Sequence, residues 1–417
     1  MRGGTNIFES HNAFFTKHHT LKLLKMWLLK IIEYLKDPHL VANIQEFFEV
    51  QINYNTKYSK KYRLSDNTES NGYNTVEKIS NGHIKTDVSL YKEGSLPKEH
   101  IQGLDGPTYT INNRFWYYLF LFGTELGDEI FYSSFIPFWF WNIDGAVGRR
   151  VVLVWAIVMS IGQALKDVIC WPRPACPPVV RLQSKWSQEY GMPSTHAMIG
   201  VSIPFSVLIF TMNRYIYPFP IGFMIAFCWC TLICMSRLYL GMHTVLDIVA
   251  GLLLAILLMI PLIPLVDTLD YYILTNVWVL ALLIAISIAT VIYYPCSDKW
   301  TPTRGDTTMV VSVTAGVHAG AWLNYRTGAL SLPSLSPPYN IIWPSYPMLG
   351  HVVLRTVLGF CGVIGTKALC KFLCYTIMCA ILKVNSKELM KSVNTVYLLP
   401  NVFTIISIER PTFYTEM

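Results

Sequence analysis

Apolar side chains run in long blocks from Arg114 onward, whereas the residues before them are mostly polar. A helix needs about 20 apolar residues to cross a bilayer. The chain offers candidate spans at Phe115–Trp141, Val151–Leu165, Ala197–Met212, Ile221–Met235, Val245–Val266, Ile273–Tyr294, Met309–Leu323 and near Met348–Thr366. The first block carries Glu125, Asp128 and Glu129 in its middle, which fits either one long helix with its acids turned to protein or two short segments. After Lys367 basic and apolar residues mix, as in an interfacial helix, and Asn394–Ile408 is short and interrupted by Pro400. Upstream, Leu21, Leu24, Trp27, Leu28, Ile31, Ile32 and Leu35 recur at helical spacing among Lys22, Lys25, Lys30 and Lys36. That pattern predicts an amphipathic helix over Thr20–Leu40, lying on a membrane surface or packed on its own protein. Met1–Thr20 is too polar for a cleavable signal, and Asn53–Gly106 reads as a loosely ordered polar tail.

Composition narrows the class. Of 417 residues 53% are hydrophobic and 14% charged, too apolar a balance for a water-soluble globule of this size. The expectation is an all-α, multi-spanning transmembrane bundle with a polar amino-terminal tail. It divides into a basic amino-terminal region (1–110), a transmembrane core (111–300) and a further carboxy-terminal membrane region (301–417). The net charge of +7 owes much to lysines in the first hundred residues, which suits an anionic leaflet. Nucleic acid is not an expected partner, because no basic residues are interleaved with a folded platform. The ten cysteines sit mostly in apolar runs without zinc-ligand spacing and read as packed thiols.

Three polar stretches interrupt the apolar pattern: Lys166-x6-Arg173-Pro174, Pro193-Ser194-Thr195-His196 and Ser236-Arg237-x5-His243-x3-Asp247. Charge beside lipid is costly and usually marks a working site. Lys166 closes one predicted helix and His196 opens the next; Arg237 closes a third and His243 opens a fourth. Two helix pairs of opposite direction therefore carry every motif residue to one membrane face. Arg173 and Arg237 can grip a phosphate with two prongs each, and Lys166 adds a point charge. Ser194 and the free N–H groups of the following helix would face the anion. His243 and Asp247, four apart, are expected on one helical face, with Asp247 accepting from one ring nitrogen and leaving the other as a nucleophile. His196 is placed to protonate the departing oxygen. Singly, these residues also suit snorkelling anchors, a helix cap and a satisfied helix pair.

The three stretches resemble the signature of the lipid phosphate phosphatase superfamily, which holds type-2 phosphatidate phosphatases, glucose-6-phosphatase and vanadium haloperoxidases. The nearer resemblance is to sphingosine-1-phosphate phosphatases. It is carried by Lys166-Asp167-Val168, Trp171-Pro172-Arg173-Pro174, Tyr190 to Met198, Ser236-Arg237-Leu238-Tyr239, Gly241 to Asp247, Ser297-Asp298 and Thr301-Pro302-Thr303-Arg304. It covers Arg114 to Asp306, with Asp37-Pro38 a weaker echo. The resemblance implies His243 as a nucleophile that forms a phosphohistidine, Asp247 orienting it and His196 as general acid. It also implies Lys166, Arg173, Ser194, Thr195 and Arg237 as the phosphate cradle, with no cofactor and no metal. Thr195 stands where the superfamily usually has glycine, and the carboxyl end lacks the further clear span such proteins carry. The implied substrate is a sphingoid base 1-phosphate in the endoplasmic reticulum membrane, with the site facing the lumen. Phosphatidate or lysophosphatidate, a soluble sugar phosphate, and transport of a lipid anion without hydrolysis are the alternatives. A substrate amine would find an acidic partner among Glu125, Asp128 and Glu129.

Overall fold

The computed structural model describes residues 22, 25–53, 108–183, 188–295, 297, 301–330, 337–341 and 344–382. The expected tail over 54–106, the Met1–Thr20 segment, Asp298 and Asn394–Met417 lie outside the described residues. Residues 25–36 form a helix, α1, with Trp27, Leu28 and Ile32 exposed. It stops short of Leu40, because Asp37 caps a second helix, α2 (Pro38–Phe47), by accepting from His39 N–H at 2.9 Å. A two-stranded antiparallel ribbon follows, β1 (Val50–Asn53) with β2 (Thr108–Ile111), paired Val50 to Ile111.

From Arg114 the chain is helical: α3 (Arg114–Glu125), α4 (Glu129–Asn142), α5 (Gly145–Ile169), α6 (Thr195–Met212), α7 (Phe219–Tyr239), α8 (Val245–Thr275), α9 (Val277–Ile292), α10 (Thr303–Arg326) and α11 (Tyr346–Leu382). The acid-bearing Phe115–Trp141 block is thus two helices separated by a turn at 126–128. At 12 and 14 residues, neither is long enough to cross alone. Laid end to end they have the length of one crossing. Phe120 of α3 packs on Tyr239 at 4.7 Å between ring centroids, while Phe131 of α4 lies at 5.5 Å from Trp229, further back along α7. Chain direction is kept through the turn, so the break interrupts a span rather than reversing it.

Among the described residues, five helices are long and apolar enough to cross a membrane: α5, α6, α7, α8 and the Tyr346–Leu373 part of α11. Three boundaries differ from the sequence expectation. Ile273 belongs to α8, which runs to Thr275; Asn276 then caps α9 by accepting from Trp278 N–H at 2.9 Å. The stretch after Lys367, expected as an interfacial helix, continues the preceding helix without a break, so that α11 runs to Leu382. The Met309–Leu323 block sits inside α10, which is not among the five and buries Thr307, Thr308, Ser312, Thr314 and His318. Its small residues let α10 pack closely on α5.

α5, α6 and α8 share a core of Val151, Val152, Val154, Met198, Ile199, Ala255 and Met259. The outward faces carry exposed Ile221, Ile225, Leu257, Ile260 and Leu282, the surface lipid would cover. One rim is pinned by the buried ion pair of Arg149 with Asp270 at 2.8 Å, and by buried Asp144, which accepts from Arg214 and from the Tyr215 hydroxyl. The ends of α5 and α7 and the starts of α6 and α8 meet at the other rim. Gln45 of α2 reaches that rim too, donating to the carbonyls of Val180 at 2.7 Å and Tyr239 at 2.8 Å. Lys36 sits 4.8 Å above the Trp171 ring. The amino-terminal helices therefore share a face with the motif residues.

Candidate active site

Each motif residue is delivered by a helix end. Lys166 lies in the last turn of α5, which Cys170 ends in the left-handed conformation (φ 52). The chain then runs through Trp171-Pro172-Arg173-Pro174 and returns to Ser194, the N-cap of α6. Arg237 is in the last turn of α7, and Thr244 caps α8 with a capping box closed by Asp247.

The eight expected site residues form one buried cluster. Lys166 Nζ donates to Thr195 Oγ1 at 3.0 Å. Arg173 donates through Nη1 to the Met242 carbonyl at 2.6 Å, beside His243. Ser194 N–H donates to the Asp247 carbonyl at 3.1 Å, joining the second motif to the third. Arg237 is fully buried; its Nη1 donates to Thr124 Oγ1 at 2.7 Å and Gln183 Oε1 at 3.2 Å. Arg237 Nε and Nη2, Arg173 Nη2 and both His243 ring nitrogens are buried and, among the described residues, make no hydrogen bond. Burial, then the positive charges of Arg173, Arg237 and Lys166 and the neighbouring His196, push the His243 imidazole well below the usual histidine range. A neutral imidazole ringed by three cations is poised to meet an anion.

Two expectations about this cluster need correction. His243 is not on the face of a helix with Asp247: it precedes the Thr244 cap, and the helix starts at Val245. Nor does Asp247 accept a hydrogen bond from the ring, since His243 Nδ1 stands 3.7 Å from Asp247 Oδ2. The reason is local. Asp247 Oδ2 accepts from Thr244 N–H at 2.8 Å in the capping box, while Oδ1 makes no hydrogen bond. Ser194 is likewise committed as a cap, its hydroxyl accepting from Ala197 N–H at 3.4 Å.

The structure adds residues that the motifs did not mark. Glu189 is buried, its carboxylate 2.5 Å from Lys166 Nζ and 3.8 Å from Arg173 Nη2. Its carbonyl also accepts from Arg173 Nε at 2.8 Å. Burial alone would raise the Glu189 carboxyl, but Lys166 and Arg173 hold it below the usual value. The signal was present: Glu189 is the only acid between Arg173 and Pro193. Thr124 and Gly127 come from the broken span, and a β-carbon at 127 would lie 2.9 Å from His196 Cδ2. Of the acids proposed for a substrate amine, Glu125 is exposed and Asp128 is buried within electrostatic reach of Arg237.

The PAP2 superfamily model matches residues 148–271, a stretch that contains all eight residues and Glu189. The chain is 38% identical over 302 residues to sphingosine-1-phosphate phosphatase 1 of Rattus norvegicus, covering 72% of this chain and 70% of the relative. It is 47% identical over 236 residues to sphingosine-1-phosphate phosphatase 2 of Mus musculus, covering 56% and 66%. Lipid phosphate phosphatase delta of Arabidopsis thaliana is 32% identical over 204 residues, 47% of this chain and 49% of the relative. No solved structure matches the chain. Similarity that covers most of the chain, with the superfamily match lying over the motif core, assigns the chain to the sphingosine-1-phosphate phosphatase family of the PAP2 superfamily.

Proposed function

We propose that the chain hydrolyses the phosphate monoester of sphingosine-1-phosphate and related long-chain sphingoid base 1-phosphates. The observation that carries the chemistry is the set of unsatisfied N–H groups on Arg173 and Arg237 beside a neutral His243. Buried donors without acceptors are expensive, and a phosphate would satisfy them together.

In this mechanism a His243 ring nitrogen attacks phosphorus and the P–O ester bond breaks. The departing alkoxide takes a proton from His196, leaving free sphingoid base. Water then attacks the phosphohistidine, gives a proton to His196 and releases inorganic phosphate. Asp247 steadies the positive charge that develops on His243; at 3.7 Å it acts as a nearby charge rather than a hydrogen-bond acceptor. Lys166, Arg173, Arg237 and Thr195, with Ser194 fixing the start of α6, hold the phosphoryl oxygens. No metal enters these steps, since cationic side chains carry the charge. The lipid tail would stay among the apolar helices, which supports an amphiphile over a soluble sugar phosphate.

The test is inorganic phosphate release from sphingosine-1-phosphate, lysophosphatidate, phosphatidate and a water-soluble sugar phosphate, with chelator present. Release from the sphingoid ester that His243→Ala abolishes is expected. Near wild-type hydrolysis by that variant would sink the mechanism, and equal rates on every lipid would broaden the substrate class to lipid phosphates at large. Failure of the wild-type chain to hydrolyse any of them, with the lipids still bound, would favour transport of the anion.

The proposed residence is the endoplasmic reticulum membrane with the site facing the lumen. Residues 1–110 act as an interfacial region, 111–300 as the catalytic core and 301–417 as an additional membrane region. The single crossing by α3 and α4 puts the lysine-bearing α1 on the face of the site. Long polar segments translocate largely regardless of charge, so this is compatible with a lumenal site. An amino-terminal tag protected from protease in intact microsomes is the expected result; a digested tag would reverse the orientation.

A further inference from the structure

We propose that Glu189 is a resident counter-anion of the phosphate site: it occupies Lys166 when the site is empty, yields it to the phosphoryl group, and reclaims it as inorganic phosphate leaves. Resting on the phosphatase reading above, this gives a specific job to a residue outside the three motifs.

The geometry supplies the grounds. Lys166 is buried and has the Glu189 carboxylate at 2.5 Å and Thr195 Oγ1 at 3.0 Å. Arg173 Nη2 makes no hydrogen bond among the described residues, yet the same carboxylate stands 3.8 Å away. Glu189 therefore touches the cation cluster with the atoms and charge that a phosphate would bring, from a position with its own oxygens out of water. Lys166 and Arg173 keep it ionised. Its backbone is fixed separately, because its carbonyl holds Arg173 Nε at 2.8 Å. The side chain can thus shift between partners while the loop stays in place.

Two consequences follow from charge alone. Without Glu189, three cations would face, among the described residues, only the Asp247 carboxylate and, at Arg237, that of Asp128, and a divalent product would be held too tightly to leave quickly. A carboxylate already placed beside Lys166 weakens the hold on phosphate by like-charge repulsion and repairs the ion pair on its departure. Glu189 is in this sense a positioning residue acting through Lys166 and Arg173. It trades phosphate affinity for turnover.

The experiment uses the full-length purified protein and inorganic phosphate as the probe. Phosphate affinity is read from the shift of the thermal midpoint on titration and, separately, from product inhibition of lipid hydrolysis. Glu189→Gln keeps the shape and removes the charge; it should bind phosphate about tenfold more tightly while kcat falls. Glu189→Asp draws the carboxylate back by one methylene and should give a smaller gain in the same direction. Weaker or unchanged phosphate binding in Glu189→Gln would overturn the proposal, since a purely structural partner of Lys166 loses affinity when removed. If Glu189→Gln is not recovered folded, Glu189→Asp carries the test, and affinity equal to or below wild type overturns it. Should wild-type protein hydrolyse no lipid phosphate, the phosphatase reading fails, whereas the phosphate titration still decides the role of Glu189.

Discussion

Gly251 lies against Ser194 so closely that a β-carbon at position 251 would come within 2.7 Å of the Ser194 carbonyl oxygen. The contact is between α8 and the turn that opens α6, and it is reinforced by the Ser194 N–H bond to the Asp247 carbonyl at 3.1 Å. The second and third motifs are thus in register through backbone, not only through side chains.

Gly251→Ala should push α8 away from Ser194. Backbone cannot swing aside as a flexible side chain would, so a stability cost of about 1–3 kcal/mol is expected from overpacking. Activity should fall further than stability accounts for, because Asp247 and Ser194 move apart. Thermal denaturation beside phosphate release, both in detergent, checks the two effects separately; unchanged activity would show that the register has slack.

The pH dependence has a definite sign. His243 is held neutral in the folded protein to well below its usual pKa. As nucleophile it should stay active at pH values where an ordinary histidine is already protonated, so the acid limb of kcat/KM assigned to His243 should lie below about 6.5. For stability, the unfolded chain takes up the proton near its ordinary pKa while the folded chain does not. Stability from this group is complete above about pH 6.5 and is lost as pH falls towards the depressed folded value. Denaturation midpoints of wild type and His243→Gln between pH 5 and 7.5 should converge as the pH is lowered; parallel curves would remove His243 from that role.

How much of this was legible beforehand divides by the range of the interaction. Lys166, Arg173, His196, Arg237 and His243 stood out because polar residues inside apolar blocks have no cheap alternative, and helix alternation alone put them on one rim. The Phe115–Trp141 block left two readings open, and the break at 126–128 was settled by packing on α7 and His196, which no local pattern encodes. The supposed His243–Asp247 helical pair failed for a different reason. A spacing of four looks the same whether the first residue lies in the helix or just outside its cap, and Thr244 with Asp247 forms a capping box that puts His243 outside. Glu189 escaped notice because its partners are 23 and 16 residues away in sequence.

The Thr301-Pro302-Thr303-Arg304 stretch has a structural use. Asp167, next to Lys166, accepts from Tyr294 Oη at 2.9 Å, Thr301 Oγ1 at 3.1 Å and Thr303 Oγ1. This buried carboxylate ties the start of α10 to the end of α5. Tyr294→Phe removes one charge-assisted bond and should cost about 1.5–3 kcal/mol. The remaining hydroxyls keep Asp167 in place, so kcat should change much less than the thermal midpoint. A collapse of kcat with an unmoved midpoint would instead put Asp167 in the chemistry.

Gly127 offers the sharpest test of His196 as the proton donor. It sits in the turn that breaks the α3–α4 crossing, and a β-carbon there would come within 2.9 Å of His196 Cδ2. Gly127→Ala should therefore rotate or displace the imidazole without touching its chemistry or the cations. If His196 protonates the leaving alkoxide, misplacing it should remove part of the 10²–10⁴-fold that general acid catalysis typically gives. The loss should depend on the leaving group. A sphingoid alkoxide needs the proton, whereas an aryl phosphate with an acidic phenol departs without one. Gly127→Ala and His196→Ala should both slow lipid hydrolysis severely and aryl phosphate hydrolysis far less, provided both substrates reach His243. Equal loss on the two esters would mean that the bulge at Gly127 disturbs phosphate binding, and that the proton comes from elsewhere.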